Sequence, residues 1–101
     1  MPKVEKETLL KCKVGLGMFK SERTVTVKVD ATEFSAIVDA EDVRVDEEPK
    51  GDELVDGWVR VFVIEKGKDQ ALIDLPRETF TSGTRIIVPM SLLRQDTSKA
   101  R

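Results

Sequence analysis

Arg23-Thr24-Val25-Thr26-Val27-Lys28-Val29 places a valine at every second position from Val25, with Thr24, Thr26 and Lys28 in between. Side chains alternate across a strand, so Val25, Val27 and Val29 share one face and the polar residues share the other. A helix would scatter the same valines around its circumference. The stretch therefore reads as a half-buried strand. Upstream, Leu10, Cys12, Val14 and Leu16 repeat the pattern, with Lys11 and Lys13 on the opposite parity.

The same alternation, bounded by turn residues, marks further strands at Phe34–Val38, Val43–Val45, Ala71–Leu75 and Ile86–Val88. Trp58–Ile64 is apolar on both parities, which predicts a strand covered on both faces or strongly bent, with Trp58 and Phe62 in the core. Asp30-Ala31-Thr32-Glu33 and Lys66-Gly67-Lys68-Asp69 read as turns. Pro76 is expected to end the strand before it and Pro89 to halt the last ladder, with Met90–Arg94 a short helical turn or a bent return to the sheet. The chain is thus all-β, six to seven short strands forming a small SH3-like barrel or a two-half β-barrel or sandwich.

At 101 residues, this is one domain. It is expected to span residues 8–94, with 1–7 and 95–101 as disordered tails. Ile37-Val38 precedes Val43-Arg44 at the spacing with which Ile87-Val88 precedes Leu93-Arg94. The shared phrase divides the domain into possible halves, 9–44 and 58–94, joined by an acidic loop at 46–56. Val88-Pro89-Met90-Ser91-Leu92-Leu93 is similar to the closing turn of SH3-like barrels, and so is Val38-Asp39-Ala40-Glu41-Asp42-Val43. This likeness of shape implies a barrel without implying a function.

Charge is layered along the chain. Residues 1–28 carry a net charge of +4, residues 29–56 of −9 and residues 57–101 of +3. The acids of the Asp39–Asp42 turn and of the 46–56 loop lack the alternating spacing, central glycine and terminal glutamate of a calcium loop, and read as a solvated surface.

Several function classes recede at this point. Histidine and tyrosine are absent, which removes the usual general base near neutral pH. Ser35, Ser82 and Ser91 have no histidine to activate them, and Gly15-Leu16-Gly17 is too short for a phosphate loop. No catalytic, cofactor or metal residues are assigned, and the chain is expected to be non-enzymatic. The single cysteine, Cys12, lies on an inward parity and reads as a small buried apolar side chain. The charged N-terminus resembles no signal peptide and no apolar run reaches membrane length, so a cytoplasmic, membrane-free protein is expected.

The role these exclusions leave is a protein- or peptide-binding module, with Met18, Phe19, Lys20 and Arg23 as its contact residues. Met18 and Phe19 stand in a glycine-flanked loop. Exposed, they would anchor a partner; folded over the barrel end, they would plug the core, and the plug is the expected placement. The alternative role is nucleic-acid binding through a basic face on the first two strands, with Lys11, Lys13 and Lys28 on phosphates and Thr24 and Thr26 beside them.

Overall fold

The computed structural model describes residues 4–80 and 83–99; Ser82 and the outermost parts of the two expected tails lie outside the described residues. Eight strands follow one another: β1 (Val4–Leu16), β2 (Glu22–Val29), β3 (Thr32–Asp39), β4 (Val43–Val45), β5 (Val55–Lys66), β6 (Gln70–Thr79), β7 (Gly83–Pro89) and β8 (Leu93–Lys99). Short 3-10 turns, Ala40–Asp42 and Met90–Leu92, precede β4 and β8. Among the described residues, all pairings are antiparallel. The ring β1-β2-β3-β6-β5 closes on itself, making a small all-β barrel to which β4, β7 and β8 are added.

The valine column does what its alternation demands. Val25 and Val27 meet Leu10, Cys12 and Val14 from β1, Ala36 and Val38 from β3, Val59 and Val61 from β5, Ala71, Ile73 and Leu75 from β6, and Ile86 and Val88 from β7 in one buried cluster. Burying such side chains stabilises the fold by about 1.5–3 kcal/mol each.

The halves repeat one another register for register. Exchanging Leu10 with Val59 maps the pair Lys11–Trp58 onto Leu9–Arg60, and Cys12–Gly57 onto Thr8–Val61. The same exchange carries Val43–Val59 onto Leu93–Leu10 and Arg44–Trp58 onto Arg94–Leu9. It also carries Val25–Ala36 onto Ile73–Ile86. Even the turns correspond: Ala40 N–H donates to Ser21 O, and Met90 N–H donates to Asp69 O. A pseudo-two-fold axis therefore passes between Leu10 and Val59. The halves are also interleaved, because β4 pairs with the second half's β5 while β8 pairs with the first half's β1.

Three expectations about the chain's course need correction. Residues 4–7 and 95–99, expected as tails, pair with each other from Val4–Lys99 to Glu7–Asp96. A polar sequence suffices there because an edge pair is held by its backbone ladder and needs no apolar face. Pro76 does not end its strand. The β6–β7 register breaks between Asp74 and Thr79, where proline offers no N–H, and β6 runs on to bridge β3 at Ala36–Thr79. Phe62 is not in the core. It faces outward at 53 % exposure, and a register shift between Val63 and Glu65 bends β5 just beyond it.

Candidate functional site

Two surfaces bring the sequence-predicted residues together. The first is the β1–β2 loop. Gly17 is required there: a Cβ would lie 2.8 Å from Glu22 Cβ and 2.9 Å from Glu22 C, so only glycine lets the loop close this tightly. Glu22 N–H donates to Phe19 O at 3.0 Å, and Gly17 N–H to Glu22 O at 3.3 Å. Arg23 then braces the loop from beneath. Its Nη1 donates to Lys20 O at 2.9 Å and to Glu22 O at 2.7 Å, and its Nη2 reaches Glu48 Oε1 at 3.0 Å.

Met18 and Phe19 do not plug the barrel. Met18 is 85 % exposed and Phe19 63 %, because the braced turn points them away from the barrel. Leu16 is also exposed, and Leu54 lies over Gly15, with Leu54 Cδ2 2.8 Å from where a Gly15 Cβ would stand. Lys20 is exposed at the turn, whereas Arg23 has only 16 % of its side chain accessible. Of the four predicted contact residues, three are surface groups and the fourth is a positioning residue.

The second surface lies on the outer face of β2, β1, β5 and β4. Lys13 pairs with Thr26 across β1 and β2, and Lys11, Lys13, Thr26 and Lys28 border one groove. Lys11 pairs with Trp58 on β5, and Trp58 pairs in turn with Arg44 on β4. Lys11, Arg44, Asp56, Trp58 and Arg94 line an adjoining cleft of about 190 Å³. Arg94 lies over the Trp58 ring at 4.4 Å, a cation–π contact. Trp58 is therefore an outward residue half-covered by a guanidinium, and the expectation of a core tryptophan fails.

The pseudo-symmetry explains this arrangement. Arg44 and Arg94, the last residues of the repeated phrase, are related by the axis, as are Lys11 and Arg60. Two parallel rows cross the sheet: Lys11–Trp58–Arg44, and Arg94–Leu9–Arg60. Each row has an apolar centre flanked by cations, and Leu9 is fully buried outside the main core cluster. On the opposite, inner face, Gly57 lets β4 seat closely on β5. A Cβ there would meet Val45 Cγ1 at 2.7 Å, Val14 Cγ2 at 2.9 Å and Arg44 O at 3.0 Å.

Carboxylates hold several of these cations. Arg44 reaches Glu7 Oε1 at 2.6 Å, Arg60 reaches Asp42 Oδ1 at 3.2 Å and Lys13 reaches Asp56 Oδ1 at 2.6 Å. The hydrogen bond from Lys13 and its charge, with a smaller pull from Lys11, hold the Asp56 carboxyl below the usual carboxylate range. Arg60 Nε is buried without a hydrogen-bond partner. Sequence reasoning found Lys11, Lys13 and Lys28 but missed Arg44, Arg94 and Trp58; the phrase that ends in the two arginines was the available signal.

Cys12 is buried, and loss of hydration pushes its thiol up to about 12. Among the described residues, no group of three or more histidine, cysteine or acidic side chains is placed to hold a metal, and no helix is long and apolar enough to cross a membrane. Fold and surfaces together define a small antiparallel β-barrel with an apolar loop and a separate cationic face. Comparison with protein-family models, curated proteins and solved structures found no match to this chain.

Proposed function

We propose that this barrel is a non-enzymatic interaction module that grips a protein partner through the Met18–Phe19 loop. The observation that carries the reading is the exposure of those two side chains on a braced turn. A turn whose backbone is already braced loses little backbone freedom on docking, which favours the apolar side chains it presents as an interface anchor. Glu48, Asp52 and Glu53, all exposed, belong to the same loop as Leu54. The partner that fits is therefore a protein with an apolar pocket and a basic rim.

The closing turns before β4 and β8 support assigning the architecture to a two-half relative of SH3-like barrels. A lone buried thiol fits a reducing compartment, so the cytoplasm is the proposed location. The test is capture from lysate of the source cell with the wild type and the double variant Met18→Ser/Phe19→Ser, each with nuclease and without. Nuclease-resistant capture of a protein by the wild type, lost in the double variant with an unchanged circular-dichroism spectrum, is the expected result. Equal capture by both forms refutes the loop as the anchor.

A further inference from the structure

The cationic face is a second surface, distinct from the Met18–Phe19 loop, and stands or falls independently of it. We infer that it binds single-stranded nucleic acid, with Lys28, Lys13, Lys11, Arg44 and Arg94 on the phosphates and the Trp58–Arg94 stack beneath a base.

The argument starts from charge. Lys28 to Arg44 spans four neighbouring strands, about 14 Å at the usual strand spacing. Along that path five cations border the groove and cleft, against three carboxylates: Asp46 and Asp56 in the lining, and Glu7, which holds Arg44 at 2.6 Å. Such an excess, laid across an open sheet, complements a run of phosphates. Trp58 adds what charge alone lacks. A ring in a cationic cleft, with a planar guanidinium at 4.4 Å, presents the surface on which unpaired bases stack. The cleft of about 190 Å³ has room for one planar base, and a paired base keeps its faces inside the duplex.

The acids sharpen the reading. Lys13 is held by Asp56 at 2.6 Å, so a phosphate must displace that carboxylate to reach the ammonium group. Neutralising Asp56 should therefore tighten binding.

The chain contains one tryptophan, so its fluorescence reports on this cleft alone. The experiment titrates the intact protein with a single-stranded DNA 12-mer, a single-stranded RNA 12-mer, the corresponding DNA duplex and a poly-glutamate peptide, at about 50 mM salt. Trp58 emission is followed together with the anisotropy of the labelled strand. Quenching by a single strand is expected, with little response to the duplex. The plot of log affinity against log salt should have a slope of about −3.5, since each of the five phosphates neutralised contributes about −0.7.

Lys11→Gln/Lys13→Gln should weaken binding at least about tenfold and flatten that slope by about 1.4, because two contacts are removed. Asp56→Asn should strengthen binding several-fold, whereas the exposed, remote Asp69→Asn should leave it unchanged. Trp58→Phe, which keeps an aromatic ring, separates stacking from charge by anisotropy: a smaller loss than the lysine pair is expected. Poly-glutamate quenching Trp58 as strongly as the strands would make the ligand an acidic peptide and overturn the proposal. Absence of any response at low salt, or equal affinity for the Lys11/Lys13 variant, would overturn it as well.

Discussion

Gly57→Ala tests how β4 is seated. The added Cβ would stand 2.7 Å from Val45 Cγ1, 2.9 Å from Val14 Cγ2 and 3.0 Å from Arg44 O. Two of these neighbours are side chains that can yield slightly, and the third is a backbone oxygen fixed by the β4–β5 ladder. Overpacking of this kind costs about 1–3 kcal/mol. In a domain of this size each kcal/mol lowers Tm by about 4–8 °C, so the variant should melt about 5–20 °C below the parent. The assay is thermal unfolding by far-ultraviolet circular dichroism at neutral pH. Val45→Ala removes the closest contact, so the double variant Gly57→Ala/Val45→Ala should be more stable than the two single losses predict, with a coupling of about 0.5–2 kcal/mol. A Gly57→Ala Tm within about 1 °C of the parent, or strictly additive losses, would refute the claim that Gly57 is needed for β4 to close on β5.

Three further outcomes follow from the same geometry. Ile73, fully buried in the barrel, should cost about 2–5 kcal/mol as Ile73→Ala in urea unfolding, whereas Met18→Ser should change stability by less than about 0.5 kcal/mol. Burial raises the folded Cys12 thiol to about 12 from an ordinary value of 9.0, so the unfolded chain releases this proton first as pH rises. The resulting stability is fully present below about pH 9 and falls by about 1.4 kcal/mol per pH unit up to about 12; Cys12→Ala should flatten that alkaline limb in denaturant titrations. Arg23→Ala removes the brace under the loop while leaving Met18 and Phe19 in place; amide hydrogen exchange at residues 17–22 should accelerate, and partner capture should weaken without being abolished.

Local patterns carried the strands, whereas long-range contacts placed the surfaces. The alternation in Arg23–Val29 and in Leu10–Val14 is legible because each strand has one core face and one wet face; Leu16, on the inward parity, is exposed at the strand's end. Gln95–Lys99 gives no such signal: it is polar throughout, and its strand character comes from the β1 edge it pairs with. Phe62 looks like core because the local window is apolar, yet its parity faces outward and the bulge lies just beyond it. Met18 and Phe19 were misplaced for a related reason. The hydrogen bonds that turn their loop outward come from Arg23 and are tied to Glu48 in a distant loop. On the cationic face, Lys11, Lys13 and Lys28 could be grouped by assuming that the first two strands pair. The repeated phrase links Arg44 with Arg94 but does not place them at Trp58, because that meeting depends on the exchange of β4 and β8 between halves.

That exchange has a kinetic consequence. Each half lends its last strand to the other, so neither can finish its own sheet while the chain is still short. β1 waits for β5 and, last of all, for β8, whose pairing with it runs from Val4–Lys99 inward. Contacts this distant in sequence have high contact order, and loop-closure entropy must be overcome before they contribute. The barrel should therefore fold late and all at once rather than half by half. During synthesis the valine face of β2 would stay open to rival partners until β5, β6 and β7 arrive to cover it.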